Sequence, residues 1–335
     1  MTPRVSVLLP VFNGAETLPA ALRSIAWQTW REWELVLVDD GSSDQSLALA
    51  RAAAARDPRI RVLPRAHEGL VASLQAGLVE CRGELVARMD ADDIAHPDRL
   101  ARQVLFLETH PDIAVVGSRV RIFPARTRTA GMARYESWLN SLVEPETMER
   151  DLLVESPLVH PSVVFRRATI QAVGGYRDSR GPEDYDLWLR LHEGGARFGK
   201  VPEVLLFWRD APLRVTRTDP RCGRDRFREV KLDFLLRTRL AGIQPFMLWG
   251  AGPNGKALAR ELAARGRTAR AFIDSHPARR GQKIAGLPVL GPEQVPPPGQ
   301  FLLLSTVGHP QARAQIRALL AERGHREGRD FVCLA

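Results

Sequence analysis

Five short runs rich in Val, Leu and Ile alternate with helical stretches through the first 120 residues of this chain. The runs are Val5–Val11, Leu35–Asp39, Ile60–Leu63, Leu85–Asp90 and Ile113–Val120, and they read as buried strands. Between them Ala15–Gln28, Gln45–Arg56, Leu70–Glu80 and Pro97–His110 read as helices. Repeated strand–helix–strand units imply an α/β fold, with a mostly parallel sheet covered on both faces. Ligands of such sheets sit in the crevice beyond the carboxyl ends of the strands. The polar residues that end each strand are therefore the ones with functional potential.

From about residue 121 to 215 the pattern loosens, with short helices over Glu136–Leu142, Glu146–Leu153 and Pro182–Gly194 and strands near Ser162–Arg166 and Val204–Trp208. Arg221–Leu240 is basic and amphipathic and reads as a helical connector within a linker over 216–243. A smaller α/β unit is expected over 244–335. It holds a strand (Phe246–Trp249), a glycine turn, a helix (Pro253–Arg265) and a strand (Ala271–Ile273), then Phe301–Ser305 and a helix across Pro310–Arg323. No short internal repeat is visible.

A hydrophobic content of 44% suits a globular chain with an ample core. The apolar runs are strand-length, so no transmembrane helix is expected. The N-terminus enters a strand directly, without the order of a signal peptide, and a cytoplasmic location is the default expectation. Cys81, Cys222 and Cys333 lie far apart and form no metal-ligand spacing. The formal charge is +9, and only four of the 48 basic residues are lysine. That arginine excess fits a GC-rich genome, attraction to anionic phosphates, or peripheral contact with the anionic inner face of a membrane. Nucleic acid is not an expected partner, since no dense basic tract is interleaved with aromatics. The sequence does not indicate an oligomeric state.

Three strand ends carry candidate chemistry. The first is Pro10-Val11-Phe12-Asn13-Gly14, which also suits a plain strand-to-helix turn. The second is Asp39-Asp40-Gly41-Ser42-Ser43-Asp44, where Ser42 or Ser43 can cap the next helix but two adjacent carboxylates are left over. The third is Arg88-Met89-Asp90-Ala91-Asp92-Asp93. Residues 90 and 92 alternate onto one side of an extended chain, so both can face one ligand. A hard divalent cation with oxygen ligands would relieve their repulsion, typically together with phosphate oxygens.

These three motifs, at these intervals, resemble a family 2 glycosyltransferase with the GT-A fold. His160-Pro161-Ser162 and Glu183-Asp184-Tyr185-Asp186-Leu187-Trp188 are similar to the acceptor half of that family. The resemblance covers about residues 3–215, divided into a nucleotide-binding half (1–120) and an acceptor half (121–215). It implies an inverting, metal-dependent hexosyl transfer from a nucleotide-diphosphate sugar, UDP being the commonest base, to a glycan or lipid-linked acceptor of the cell envelope. Pro10, Phe12, Asn13, Asp39, Asp40, Asp90 and Arg209 would then bind the donor. Phe12 would stack on the base, Asp39 would accept a hydrogen bond from it, and Asp40 would be a second nucleoside contact. Asp90 would reach the ribose or the metal's water shell, and Arg209 would clamp the diphosphate. Asp92 would coordinate Mn²⁺ or Mg²⁺, Asp184 would be the general base, with Glu183 beside it, and His160 would contact the acceptor.

Chemistry agrees with those roles. Nucleoside diphosphate departs with developing charge, which a bound cation stabilises. An aspartate with an ordinary pKa of about 3.9 is ionised at neutral pH and can take the acceptor's proton. Acidic residues after Gly181-Pro182 also favour a helix N-terminus, and both roles can hold together. The chain departs from the family pattern in two places. Many relatives follow a Tyr-Arg pair with His where Trp208-Arg209-Asp210 stands, and many have Asn where Gln75 stands. The Gln-x-x-Arg-Trp pattern of processive synthases is missing, so one sugar per encounter is expected.

In the second unit Gly250, Gly252 and Gly255 lie between a strand and a helix, and Asp274 closes the next strand. This pattern resembles a Rossmann-type unit, in which glycines, a helix N-terminus and an acid hold a nucleotide. A structural or partner-docking role is the other reading. Alternatives for the whole chain are a nucleotidyltransferase, a nicotinamide-dependent oxidoreductase built on the Gly250 turn, and a sugar-nucleotide-binding regulator without turnover.

Overall fold

The computed structural model describes residues 2–211, 219–242 and 245–335. It divides into two compact units, one of residues 1–149 and 157–226, the other of residues 150–156 and 227–335. The short segment 150–156, counted with the first domain on sequence, thus lies in the second unit, as does most of the expected linker.

The first unit holds an eight-stranded sheet. Its strands are β1 (Val5–Val11), β2 (Trp33–Asp39), β3 (Ile60–Pro64), β4 (Leu85–Arg88), β5 (Ile94–Ala95), β6 (Ile113–Phe123), β7 (Val164–Arg166) and β8 (Arg197–Arg209). The order is β3-β2-β1-β4-β7-β6-β8-β5. From β3 to β4 all pairs are parallel, β7 runs antiparallel between β4 and β6, and β6 and β8 are parallel. Every residue of β1 and β2 is buried, which explains why these strands read as continuous apolar runs.

The helices α1 (Leu18–Ala26), α2 (Ser46–Ala54), α3 (Leu70–Glu80) and α4 (Arg99–Thr109) fill the crossovers. Beyond residue 121 come α5 (Ala130–Ser141), α6 (Pro145–Asp151), α7 (Arg167–Ala172) and α8 (Glu183–Glu193). At the amino ends of the strands a polar knot ties the sheet. Glu34 accepts from the Ser6 hydroxyl (2.7 Å) and the Arg82 N–H (2.8 Å), and Ser6 Oγ accepts from the Gly83 N–H (2.8 Å).

Sequence and structure agree on the crossover elements to within a few residues and differ in the acceptor half. Strand β8 begins at Arg197, well before the expected Val204, and α5 begins at Ala130 rather than Glu136. Both extensions follow from pairing and packing: β8 gains its ladder from β6, whose register shifts near Ser118–Val120. The expected connector helix is α9 (Arg224–Arg237), in which Val230, Leu232, Phe234 and Leu235 are buried. Its Lys231 Nζ donates to the carbonyl oxygens of Val154 (2.7 Å) and Leu334 (3.0 Å). Those four apolar side chains of α9 therefore pack inside the protein. No helix among the described residues is long and apolar enough to cross a membrane.

The second unit holds β9 (Phe246–Trp249), α10 (Pro253–Ala264), β10 (Phe272–Ile273), β11 (Lys283–Ile284), β12 (Leu287–Leu290), β13 (Leu302–Ser305), α11 (Pro310–Glu322) and β14 (Phe331–Cys333). The sheet order is β11-β12-β10-β9-β13-β14, parallel except for β11. Strands β11, β12 and β14 were not read from the sequence.

Helix α3 lies close against β1 and β2 at Gly77, where a Cβ would fall 2.3 Å from Leu8 Cδ1 and 2.7 Å from Val38 Cγ2. Gly77→Ala is expected to destabilise the first unit by about 1–3 kcal/mol through overpacking. Urea midpoints of the two proteins check this, and an unchanged midpoint would mean the helix can back away freely.

Candidate functional site

Register decides where the acids fall. Val11 pairs with Asp39 and Leu8 with Arg88, so the residues after β1, β2 and β4 leave the sheet along one edge. Pro10 stays inside β1, buried beside Val38. Beyond it Asn13 takes a positive φ of 50° and joins two loops. Its N–H donates to Ser42 Oγ (3.0 Å) and its Oδ1 accepts from the Ser43 N–H (2.9 Å). Asp44 accepts from the N–H groups of Ala15 (3.0 Å) and Ser46 (2.8 Å), closing the same loops.

The adjacent acids Asp39 and Asp40 differ sharply. Asp40 accepts from the N–H groups of Glu68 and Gly69, both at 3.0 Å, and its Oδ2 lies 2.8 Å from His67 Nδ1. It organises the turn before α3. Gly41, at φ +70°, allows that turn to approach, since a Cβ there would lie 2.8 Å from the His67 nitrogen. Asp39 is 1% exposed; its Oδ2 accepts from the Ser42 N–H (3.2 Å), while its Oδ1 has no hydrogen-bond partner among the described residues. A buried polar atom left unpaired costs about 1–3 kcal/mol, so this oxygen is primed for a donor. Phe12 stands nearby, 48% exposed, with His67 stacked on it at 4.0 Å and 20°.

At the third strand end, carboxylate oxygens of Asp90, Asp92 and Asp93 lie within 4.8 Å of one another. The set offers oxygen alone, which fits a hard cation such as Mg²⁺ or Mn²⁺. Strand β5 pairs with β8, Ile94 opposite Phe207, and this brings Arg209 to the cluster. The Arg209 N–H donates to Asp93 Oδ1 (2.7 Å) and its Nε to the Asp92 carbonyl oxygen (2.6 Å). Its guanidinium carbon also lies 4.5 Å over the Phe123 ring. Arg209 thus braces the acidic turn directly. Arg88 is buried and ion-paired with Asp90. Burial opposes its charge, but Asp90, with smaller help from Tyr176 and Glu183, holds the guanidinium above its ordinary pKa.

On the acceptor side, α8 starts after Pro182 with Glu183, Asp184 and Asp186 in its first turn and Arg190 and His192 in its last, complementary to the helix dipole. Glu183 is buried and Asp184 partly exposed. His160 is buried too, and both ring nitrogens are engaged: Nε2 by the Tyr176 hydroxyl (2.8 Å) and Nδ1 by Glu183 Oε1 (3.4 Å). It is thereby tied to the start of α8 through Glu183. Burial and the nearby Arg88 push its pKa down. Burial works to raise Glu183, yet the His160 hydrogen bond and charge keep its carboxyl below the usual range. Gln75, the departure in α3, accepts from the Tyr176 N–H (2.8 Å) and so ties the donor half to this turn.

Sequence reasoning missed His67, Arg88, Tyr176 and the turn at Pro220–Cys222. The Cys222 thiol is pushed up to about 12 by burial and by the Glu183 and Asp184 carboxylates. The legible signal for His67 was its position just past the third strand; the others needed distant contacts.

In the second unit the glycine turn forms as expected. Gly250 has φ +105°, and a Cβ at Gly255 would fall 1.9 Å from the Gly250 carbonyl oxygen. Gly252 precedes α10 at its N-terminus. Asp274, expected to meet a ribose, is already used by the protein. It accepts from the N–H groups of Ala251 and His276, both at 2.8 Å, and pairs with Arg279 at 3.0 Å.

The chain belongs to glycosyl transferase family 2, whose model matches residues 6–174. It is similar to the amylovoran biosynthesis glycosyltransferase AmsE of Erwinia amylovora, 34% identical over 204 residues, covering 60% of this chain and 74% of AmsE. TarS of S. aureus in complex with UDP-GlcNAc is 18% identical with a TM-score of 0.54, covering 70% of this chain and 66% of that one. The mannosyltransferase PcManGT of Pyrobaculum calidifontis, in complex with GDP-Man and Mn²⁺, is 19% identical with a TM-score of 0.51 over 79% of this chain and 81% of that one. At such identities these two structures establish the fold, which is that of GT-A glycosyltransferases. The protein is a glycosyltransferase.

Neutral buried His160 makes stability pH-dependent. Its folded pKa lies below the ordinary value of about 6.5, so below that pH the unfolded chain takes up more protons than the folded one. The contribution is complete above about pH 6.5 and is lost as pH falls through the folded pKa. Denaturant midpoints between about pH 8 and pH 5 are expected to fall more steeply for the wild type than for His160→Gln. Equal slopes would refute the buried neutral histidine.

Proposed function

We propose that the protein transfers a hexosyl group, with inversion, from a UDP-sugar to a hydroxyl of a glycan or lipid-linked acceptor in cell-envelope glycan biosynthesis. The observation that carries this reading is the sheet edge itself. Three convergent carboxylates, the open Asp39 Oδ1 and the exposed Phe12 ring lie at the ends of neighbouring parallel strands. Phe12 offers a stacking face for the base, and Asp39 Oδ1 accepts an N–H such as that of uracil. Asn13 and Asp40 shape the loops around the nucleoside, and Pro10 supports them from within the strand.

Asp92, with Asp90 and Asp93 beside it, would hold Mn²⁺ or Mg²⁺. Bound there, the ion supplies charge stabilisation for the departing diphosphate. The two GT-A structures, one in complex with UDP-GlcNAc and one with GDP-Man and Mn²⁺, support that class of donor and ion. Arg209 keeps the acidic turn in place.

Asp184 is the candidate base. Of the two acids that open α8, Glu183 is buried and bound to His160, whereas Asp184 is the more accessible. Its carboxylate takes the acceptor's proton as the hydroxyl attacks the anomeric carbon, and a single displacement inverts that centre. We place the reaction in the cytoplasm. The exposed Arg226, Arg237 and Arg239 around α9 are the candidate contacts for an anionic membrane face. For the second unit, the engaged Asp274 favours a structural or docking role for the Gly250–Gly255 turn over nucleotide binding.

Calorimetric titration of UDP with and without Mn²⁺ tests the site. Asp92→Asn is expected to abolish the metal-dependent part of binding. Asp184→Asn should keep UDP affinity while turnover falls about 10²–10⁴-fold. Unaltered metal dependence in Asp92→Asn would sink the metal assignment, and unaltered turnover in Asp184→Asn would sink the base.

A further inference from the structure

Phe12 and His67 form a stack in which almost every part except the Phe12 ring is fixed by hydrogen bonds. The backbone on either side of Phe12 is tied down. The Val11 carbonyl oxygen accepts from the Asp40 N–H (2.9 Å), and the Asn13 N–H donates to Ser42 Oγ (3.0 Å). The ring itself is 48% exposed, so core packing does not settle its torsions. His67 meets it from a separate element. The Arg65 N–H donates to the Asp39 carbonyl oxygen (2.9 Å), which lays the turn after β3 along the end of β2. Asp40 then takes the N–H groups of Glu68 and Gly69, each at 3.0 Å. His67 Nδ1 lies 2.8 Å from Asp40 Oδ2 and 3.1 Å from the Asp40 carbonyl oxygen. A carboxylate and a carbonyl only accept, so Nδ1 carries a hydrogen and the plane of the imidazole is set. That plane lies 4.0 Å from the Phe12 ring, centroid to centroid, and 20° from parallel.

We propose that His67 is a positioning residue of the donor site: its imidazole backs one face of Phe12 and holds that ring for a nucleobase to stack on the other. This role rests on the reading of the sheet edge as a nucleotide-sugar site. In that reading Asp39 Oδ1, buried and without a hydrogen-bond partner among the described residues, accepts an N–H of the base. For the hydrogen bond and the stack to form together, Phe12 must stand at one angle to Asp39. A half-exposed phenylalanine alone would spread over its rotamers, and binding would have to freeze them. His67 removes that cost in advance, because Asp40 fixes the imidazole against which the ring lies. The two adjacent acids then divide the work: Asp39 meets the base directly, and Asp40 acts on it through His67 and Phe12. If His67 merely completed the turn before α3, any side chain that satisfies Asp40 could replace it.

Calorimetry on the full chain with Mn²⁺ present tests this, with UDP as one titrant and methyl diphosphate, which lacks base and ribose, as the other. His67→Ala is expected to weaken UDP binding about three- to tenfold and to change methyl diphosphate binding by less than about twofold. His67→Phe keeps a flat ring against Phe12 and should recover most of the loss. His67→Asn keeps a donor for Asp40 but no ring, and should behave as His67→Ala does. UDP binding that is unchanged to within about twofold, or tighter, in His67→Ala overturns the role, the tighter result marking the imidazole as an obstacle to the base. Rescue by asparagine and not by phenylalanine also overturns it, as does an equal loss for methyl diphosphate, because the effect then belongs to the turn and not to the stack. If the wild type binds GDP in place of UDP, the same comparison is read with GDP. A wild type that binds neither nucleotide overturns the nucleotide-sugar reading itself, and the role of His67 with it.

Discussion

The parallel register of β1, β2 and β4 brings Asp39, Asp40, Asp90, Asp92 and Asp93 to one edge of the sheet, and their mutual repulsion must be offset locally. Each offset also shapes the site. Asp40 is neutralised by two backbone N–H groups and thereby fixes the turn before α3, which carries His67 to the face of Phe12. Asp93 takes the Arg209 N–H, anchoring the end of β8 beside the acidic turn. Asp90 takes Arg88. What is left among the described residues is the Asp39 oxygen without a hydrogen-bond partner and a cluster of carboxylate oxygens within 4.8 Å of one another.

Residues 121–209 join that edge through a shared apolar core, in which Val159, Val164, Leu205 and Leu206 take part, and through buried polar contacts. Gln75 reaches from α3 to the Tyr176 N–H, and Gln103 Nε2 donates to the carbonyl oxygens of Val116 (3.1 Å) and Ser162 (2.8 Å). Such contacts are directional and lose their value when geometry slips, which suits a site whose two faces must stay in register. Helix α8 adds its own constraint. Arg177 and Arg190 both pair with Asp186, so the helix start is held from its own first turn as well as through His160 and Glu183.

The second unit shows how a similar strand–turn–helix can be closed from within. Gly250 and Gly255 permit the close approach of turn and helix, as glycines do in nucleotide-binding units. Asp274, however, satisfies the Ala251 and His276 N–H groups and pairs with Arg279. Its hydrogen bonds stabilise the turn, and a ribose would have to displace them.

The sequence by itself determined the strand–helix alternation of the first half and, with it, the edge at which the acids would gather. Periodicity and strand ends are local properties, so Val5–Val11 and Leu70–Glu80 could be read with their boundaries. The resemblance of Asp90-Ala91-Asp92-Asp93 and Glu183-Asp184 to family 2 rests likewise on short contiguous runs. Only the tertiary structure decided which of two neighbouring acids is open to a ligand. Asp39 and Asp40 are equivalent in sequence, and their difference comes from amides at residues 68 and 69. It also decided that His160 meets the start of α8 through Glu183 and that Arg209 braces the acidic turn. Those roles depend on burial and on partners far away in the chain, and the free energy of a buried charge or hydrogen bond is set by what surrounds it, not by the residues on either side.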